Sequence, residues 1–236
     1  MARNYIKEWS GIFMGLNPTI DQYLLSTCLF IIDEFDEQYR DLERTQLKKI
    51  ADEKFNEMDI CVRVGYPFKQ MAHYTVGDSG NRTKSKVNND IDIDSKDFKI
   101  EVKYLKNWRS ASGTSSASKN WIVYQEDFDW LLQEISEGKK GKRAFIIGWF
   151  NCVERFSQLI QLGEGNGSKP LASERKLCYF PFLRKMTVPT YTTDLVYNYN
   201  SAYKPLPVNL IGEADQELDC YFLGNEKDVF HFAIYF

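Results

Sequence analysis

From Asp21 onward, apolar residues recur at steps of three and four: Leu24, Leu25, Cys28, Leu29, Ile32, Phe35, Tyr39 and Leu42, continued by Leu47, Ile50, Phe55 and Met58. That period predicts an amphipathic helix, either one long helix or two with a bend near Thr45, capped by Thr19 or Asp21. Its other face is acidic, carrying Asp33, Glu34, Asp36, Glu37, Asp41 and Glu43. Residues 1–20 read as an irregular arm. Ile60, Val62 and Val64 then alternate and run into Gly65-Tyr66-Pro67, which predicts a first strand ending in a turn. Lys69 to Thr83 is polar and glycine-containing and reads as a loop.

Between Val87 and Lys103 the alternation returns twice. Ile91 and Ile93 alternate with Asp90, Asp92 and Asp94, and Phe98, Ile100 and Val102 alternate with Lys99, Glu101 and Lys103. Two half-buried strands follow, joined in a hairpin. A four-residue turn at Asp94–Asp97 pairs Ile93 with Phe98, Ile91 with Ile100 and Asp90 with Glu101. Ser110 to Ser118 is a run of Ser, Ala, Gly and Thr, expected to be a mobile loop. It is read either as closing over nucleic acid or as an ordinary surface connection.

Trp121, Ile122, Phe128, Leu131, Leu132 and Ile135 predict a second helix, starting near Glu126 and stopping at Gly138. After a basic turn comes Ala144–Phe150, a continuous apolar run of the kind found in a strand covered on both faces. A strand, a helix and a buried strand in succession make a crossover unit, with the fourth strand parallel to the third. The order is helix, three strands, helix, strand, in an α/β (α+β) fold. Beyond it, Val153–Leu162 suggests a short helix, and Leu177–Phe182 and Thr187–Thr192 look extended. Leu218–Leu223 and Val229–Tyr235 suggest a closing hairpin. The chain is read as a single domain, 1–236, with a core at 21–150 and a β-rich C-terminal extension at 151–236.

Composition narrows the classes. A chain of 236 residues, 43% hydrophobic and 27% charged, can bury a substantial core. The apolar runs are too short for a membrane span and the amino terminus has no secretory pattern, so no membrane partner and a cytoplasmic location are expected. Five scattered cysteines read as reduced core residues, and only two histidines, His73 and His231, argue against a zinc site or a Ser-His-Asp hydrolase. The net charge of −3 excludes a generally basic nucleic-acid coat protein. Around the hairpin, however, Lys84, Lys86, Lys106, Arg109 and Lys119 are available for phosphate contact.

The hairpin carries the chemistry. Asp90 directly opposite Glu101 places two carboxylates roughly 5 Å apart, where they repel unless a cation lies between them. Mg²⁺ or Mn²⁺, held by carboxylates and sharing its other positions with water and phosphate, fits that demand. Lys103, two residues past Glu101 on the same face, can hold a phosphate oxygen or an attacking water. Asp92 is the alternative first carboxylate, one register step away.

Asn89-Asp90, an intervening hairpin and Glu101-Val102-Lys103 resemble the active-site signature of the PD-(D/E)xK nucleases, the restriction-endonuclease-like superfamily, with Asn89 where that signature often has Pro. The resemblance spans about Asp21 to Phe150 and implies an αβββαβ core with a mixed central sheet flanked by helices. It implies a metal-dependent endonuclease acting on DNA, of the restriction or defence type. Asp90 and Glu101 would ligate Mg²⁺ or Mn²⁺ with the Val102 carbonyl, and Lys103 would orient the water. It also implies an extra acid from the first helix, Glu43 or behind it Glu34, and a residue near the second helix, Gln125. A homodimer is expected if both strands are cut. The alternatives are a nucleic-acid-binding or interaction protein of this fold without cleavage, and a nuclease directed at RNA.

Overall fold

The computed structural model describes residues 19–65, 72–76, 87–93, 96–105, 118–153, 156–164, 169–211 and 217–236, with backbone placement alone at 72–76, 87–93, 96–97 and 118–120. Lys84, Lys86, Lys106 and Arg109, and the arm and loop read at residues 1–18 and 110–117, lie outside the described residues, as do the side chains of Asp90, Asp92 and Lys119.

The first helix, α1 (Ile20–Tyr39), buries Ile20, Leu24, Cys28, Ile31, Ile32 and Phe35. The chain breaks at Arg40–Glu43, just before the bend expected at Thr45, and resumes as α2 (Arg44–Glu53). A correction follows. The segment expected as the first strand is a third helix, α3 (Glu57–Gly65). Its start is held by a reciprocal cap, with the Met58 N–H donating to Asn56 Oδ1 and the Asn56 N–H to Asp59 Oδ2, both at 2.8 Å. Ile60, Cys61 and Val64 are buried while Val62 is 45% exposed, which is helical spacing.

The first strand, β1 (Ala72–Val76), lies inside the expected polar loop. It is followed by β2 (Val87–Ile93), β3 (Lys96–Leu105), α4 (Ser118–Glu134) and β4 (Arg143–Phe150). Helix α4 starts at Ser118, well before Glu126, and Gly138, with φ of 82°, ends the helical stretch as expected. Short elements come next: α5 (Phe156–Leu159), β5 (Gly163–Glu164), β6 (Leu171–Ala172), α6 (Glu174–Leu177), β7 (Leu183–Lys185), β8 (Leu195–Tyr197) and β9 (Pro205–Pro207). The expected extended runs at Leu177–Phe182 and Thr187–Thr192 are therefore displaced. The hairpin of β10 (Asp219–Leu223) and β11 (Phe230–Tyr235) closes the chain where it was expected.

The result is a mixed α/β fold. Among the described residues, seven strands form one sheet in the order β1-β2-β3-β4-β11-β10-β9. Only β3 and β4 run parallel; every other neighbouring pair is antiparallel. The C-terminal hairpin thus extends the sheet that carries β3 and β4. Strand β4 is buried at every residue. Ala144, Ile146 and Phe150 face the core built with α1 to α3, while Phe145, Ile147 and Trp149 face the core built with α4 and the short elements. Gly148 lets β11 come close, since a Cβ there would stand 3.0 Å from the Phe230 ring.

His231 on β11 is fully buried among Trp149, Tyr197, Tyr199 and Phe222. Its Nε2–H donates to the Asn225 carbonyl at 2.9 Å, and Nδ1 has no partner. Protonating Nδ1 would bury an unpaired charge, so burial pulls the imidazole down to about 4. The folded state therefore resists a proton that the unfolded chain accepts below about 6.5. The stability this provides is present above that pH and falls with acidification, by about 2 kcal/mol at pH 5 and about 3 at pH 4. Urea unfolding midpoints at pH 7 and 5 test this: the drop is expected to be smaller by that amount in His231→Phe, and an equal drop would overturn it.

Candidate active site

Strand β3 lies between two partners that do not cover it equally. On one side β4 pairs with Lys99 through Leu105; on the other, the β2 ladder runs from Ile93–Lys96 and ends at Asn88–Glu101. Among the described residues, the β2 ladder stops short of the C-terminal part of β3. Glu101 stands at the last row of that ladder, and Lys103 one row beyond it.

This register corrects the expected one. Two residues, not four, separate the paired ends Ile93 and Lys96, so Asp90 pairs with Lys99 and Asn88 takes the place opposite Glu101. The slip is by two positions, so parity survives: Asp90 falls one same-face row from Glu101. Asp92 is opposite Asp97, a further row away, and His73 of β1 pairs with Asp90. Val102 is fully buried on the opposite parity.

Glu101 and Lys103 belong to the face that α4 covers, and α4 brings an acid to them. Lys103 Nζ lies 2.5 Å from Glu101 Oε1 and 3.2 Å from Asp127 Oδ2. The Glu101 and Asp127 side chains are 6% and 2% exposed, and Lys103 only 13%, so the three charges interact with little solvent between them. Burial alone would pull the Lys103 amine down. Asp127, then Glu101 and Glu57, outweigh it and hold the ammonium above its ordinary range.

Glu57, at the first turn of α3, is the fourth member. The Tyr104 N–H, one residue past Lys103 on β3, lies near enough to its carboxylate to favour the charged form. The Lys99 N–H donates to the Lys142 carbonyl on the β4 side, so strand alternation turns the Tyr104 N–H to the other edge, beyond the described β2 ladder. Burial raises the Glu57 carboxyl first; Lys103 opposes this while Glu101 and Asp127 add to it, and the group is pushed up to about 7. Lys103 is thus shared by Glu101, Asp127 and Glu57.

The signature motif includes neither Glu57 nor Asp127, although each carries a signal in the sequence. Glu57 precedes Ile60, Cys61 and Val64 at helical spacing, and Asp127 sits between Tyr124, Phe128 and Leu131. An acid on the buried stripe of a helix needs a partner. The acids expected from the helical region are placed elsewhere. Glu43 is exposed and caps α2 in a reciprocal pair with Gln46, and Glu34 lies 3.4 Å from Arg63. Gln125 is exposed on α4, two residues from Asp127, and lines a polar cleft with Arg175 and Lys176.

Among the described residues, no three acid, cysteine or histidine side chains form a ready-made metal site. Also among them, no helix is long and apolar enough to cross a membrane. No protein-family model matches the chain, and no significant match is found among curated proteins or solved structures.

Proposed function

We propose that the chain is a metal-dependent endonuclease that hydrolyses DNA phosphodiester bonds, with a restriction-endonuclease-like core. One observation carries the reading: Lys103 Nζ lies between Glu101 and Asp127, with Glu57 beside them, where the described β2 ladder ends on β3. The donor chemistry suits Mg²⁺ or Mn²⁺, because all the candidate side-chain ligands are carboxylates. Glu101 and Asp90 would hold the ion, with the Val102 carbonyl in support and Asp92 as the alternative to Asp90. Bound there, it would act as a Lewis acid toward the phosphate and its leaving oxygen.

The chain's own groups divide the remaining work. Lys103 is held charged, so it acts as a hydrogen-bond donor that orients a water or a non-bridging phosphate oxygen. Glu57, poised near neutrality, is suited to take the water's proton. The water oxygen bonds to phosphorus, the bond from phosphorus to the departing sugar oxygen breaks, and that oxygen is protonated from solvent.

Plasmid cleavage tests this. Supercoiled and linear DNA are expected to be cut with Mg²⁺ or Mn²⁺ and left intact in EDTA, and Glu101→Gln is expected to lose the activity. Cutting in EDTA, or full activity in Glu101→Gln, would overturn the reading.

A further inference from the structure

Helix α4 borders a second feature, a polar cleft of about 340 Å³, to which it contributes Trp121 and Gln125 while the segment through α6 contributes Arg175 and Lys176. Two cations line this cleft and no carboxylate does. Lys176 Nζ donates to the Gln161 and Gly163 carbonyls at 2.8 and 3.0 Å and stands 5.5 Å from the centre of the Trp121 ring. An ammonium has three donors, so these bonds fix its position and leave one N–H over. Arg175 is exposed, and among the described residues neither it nor Lys176 forms a salt bridge. Glu174, beside Arg175 in the chain, is held instead by Lys185 at 2.6 Å. Burial lowers the Lys176 ammonium, and Glu164 offsets this only in part.

Two positive charges in one cleft without a counter-charge match an anion, and the position of the cleft on α4 says which. At about 100° per residue, Trp121 and Gln125 share one flank of the helix while Asp127, which meets Lys103, lies on the other. The cleft and the Lys103 cluster are therefore separated by roughly the width of a helix, about 10–12 Å. Phosphates recur along a nucleic-acid strand at about 3.4 Å of rise, so a strand with one phosphate at Lys103 has others at that reach. Between the two flanks the face of α4 is open, with Ile122 and Val123 exposed. Glu126 is exposed there too and repels phosphate, which favours contact at the flanks. We propose that the cleft binds a backbone phosphate of the same nucleic acid whose scissile phosphate lies at Lys103, with Arg175 and the remaining Lys176 N–H as donors. The inference rests on the nuclease reading and adds a second anchor to it. Such a contact fixes the register of the nucleic acid and carries no base preference.

The test is fluorescence anisotropy of the full chain with a labelled DNA duplex in EDTA, between about 50 and about 200 mM salt. Arg175→Ala is expected to make the slope of log affinity against log salt shallower by about 0.9, so that the advantage of the wild type shrinks about threefold over that range. Arg175→Lys keeps the charge and should keep the slope. Lys176→Gln retains N–H groups for both carbonyls without the charge, and should make the slope shallower by a similar amount. Lys49→Ala removes one exposed charge from α2, which packs on the opposite face of the sheet from α4, and should leave the slope as it is. No duplex binding at any salt concentration, or wild-type slopes in both Arg175→Ala and Lys176→Gln, would overturn the inference. Calorimetric binding of inorganic phosphate that depends on Arg175, without duplex binding, would also overturn it and mark a small-anion site. Plasmid cleavage with wild-type slopes in both variants sinks the cleft assignment alone, and Arg175-dependent duplex binding without plasmid cleavage sinks the nuclease reading alone.

Discussion

Lys103→Ala is expected to lower kcat for plasmid cleavage on the order of 100- to 1,000-fold with little change in KM, because the ammonium acts on the reacting phosphate and water rather than on distant parts of the DNA. The same substitution removes the cation that Glu101, Asp127 and Glu57 share, which costs about 3 kcal/mol or more of stability. A circular dichroism melt must therefore accompany the kinetics. Asp127→Asn separates the two effects. Asp127 acts through Lys103 and Glu57, so it is a positioning residue, and its loss is expected to cost about tenfold in kcat. It should also move the pH profile: Asp127 raises the Glu57 carboxyl, and without that charge the acid limb of the rate profile shifts to lower pH. A Lys103→Ala variant that is folded and cuts normally would remove the lysine from the mechanism. An unmoved profile in Asp127→Asn would leave Asp127 a merely structural partner.

What the sequence displayed and what it hid have separate physical causes. Strands β3 and β4 and the closing hairpin follow from strict alternation or unbroken apolar runs, patterns with few competitors. The α3 segment carries two patterns, because Ile60, Val62 and Val64 also alternate; the Asn56–Asp59 cap and the buried spacing of Ile60, Cys61 and Val64 settle the competition in favour of a helix. Strand β1 has only five residues in a polar stretch and takes its structure from pairing with β2, a non-local cause. The hairpin shows the same limit. Alternation fixed the parity that Asp90 shares with Glu101 and Lys103, while the row depended on a turn that composition did not determine. Glu101 and Lys103 were legible as a motif; Asp127 was not, because starting α4 at Glu126 made it an end-of-helix acid. With the helix beginning at Ser118, the same residue falls on the buried stripe.

Glu57→Gln is expected to make the protein more stable and less active, and the pH dependence identifies the cause. The Glu57 carboxyl is raised from about 4.5 to about 7, so between those values the folded state holds a proton that the unfolded chain releases. Stability therefore falls as pH rises through that window, and the loss is complete above about 7, amounting to up to about 3 kcal/mol. Glutamine keeps an oxygen for the Tyr104 N–H without carrying the charge. At pH 8 the variant should melt roughly 5–10 °C higher than the wild type. Near pH 4, where the wild-type carboxyl is protonated in both states, the difference should vanish. Added Mg²⁺ should narrow the gap at pH 8, since a cation stabilises the wild-type carboxylate cluster and has less to neutralise in the variant. Loss of cleavage in a more stable protein would mark Glu57 as a charge kept at the expense of the fold, as a general base requires. A variant less stable than the wild type at pH 8, or a gap of equal size at pH 4 and 8, would show that this carboxylate is an ordinary surface acid and would remove the base from the mechanism.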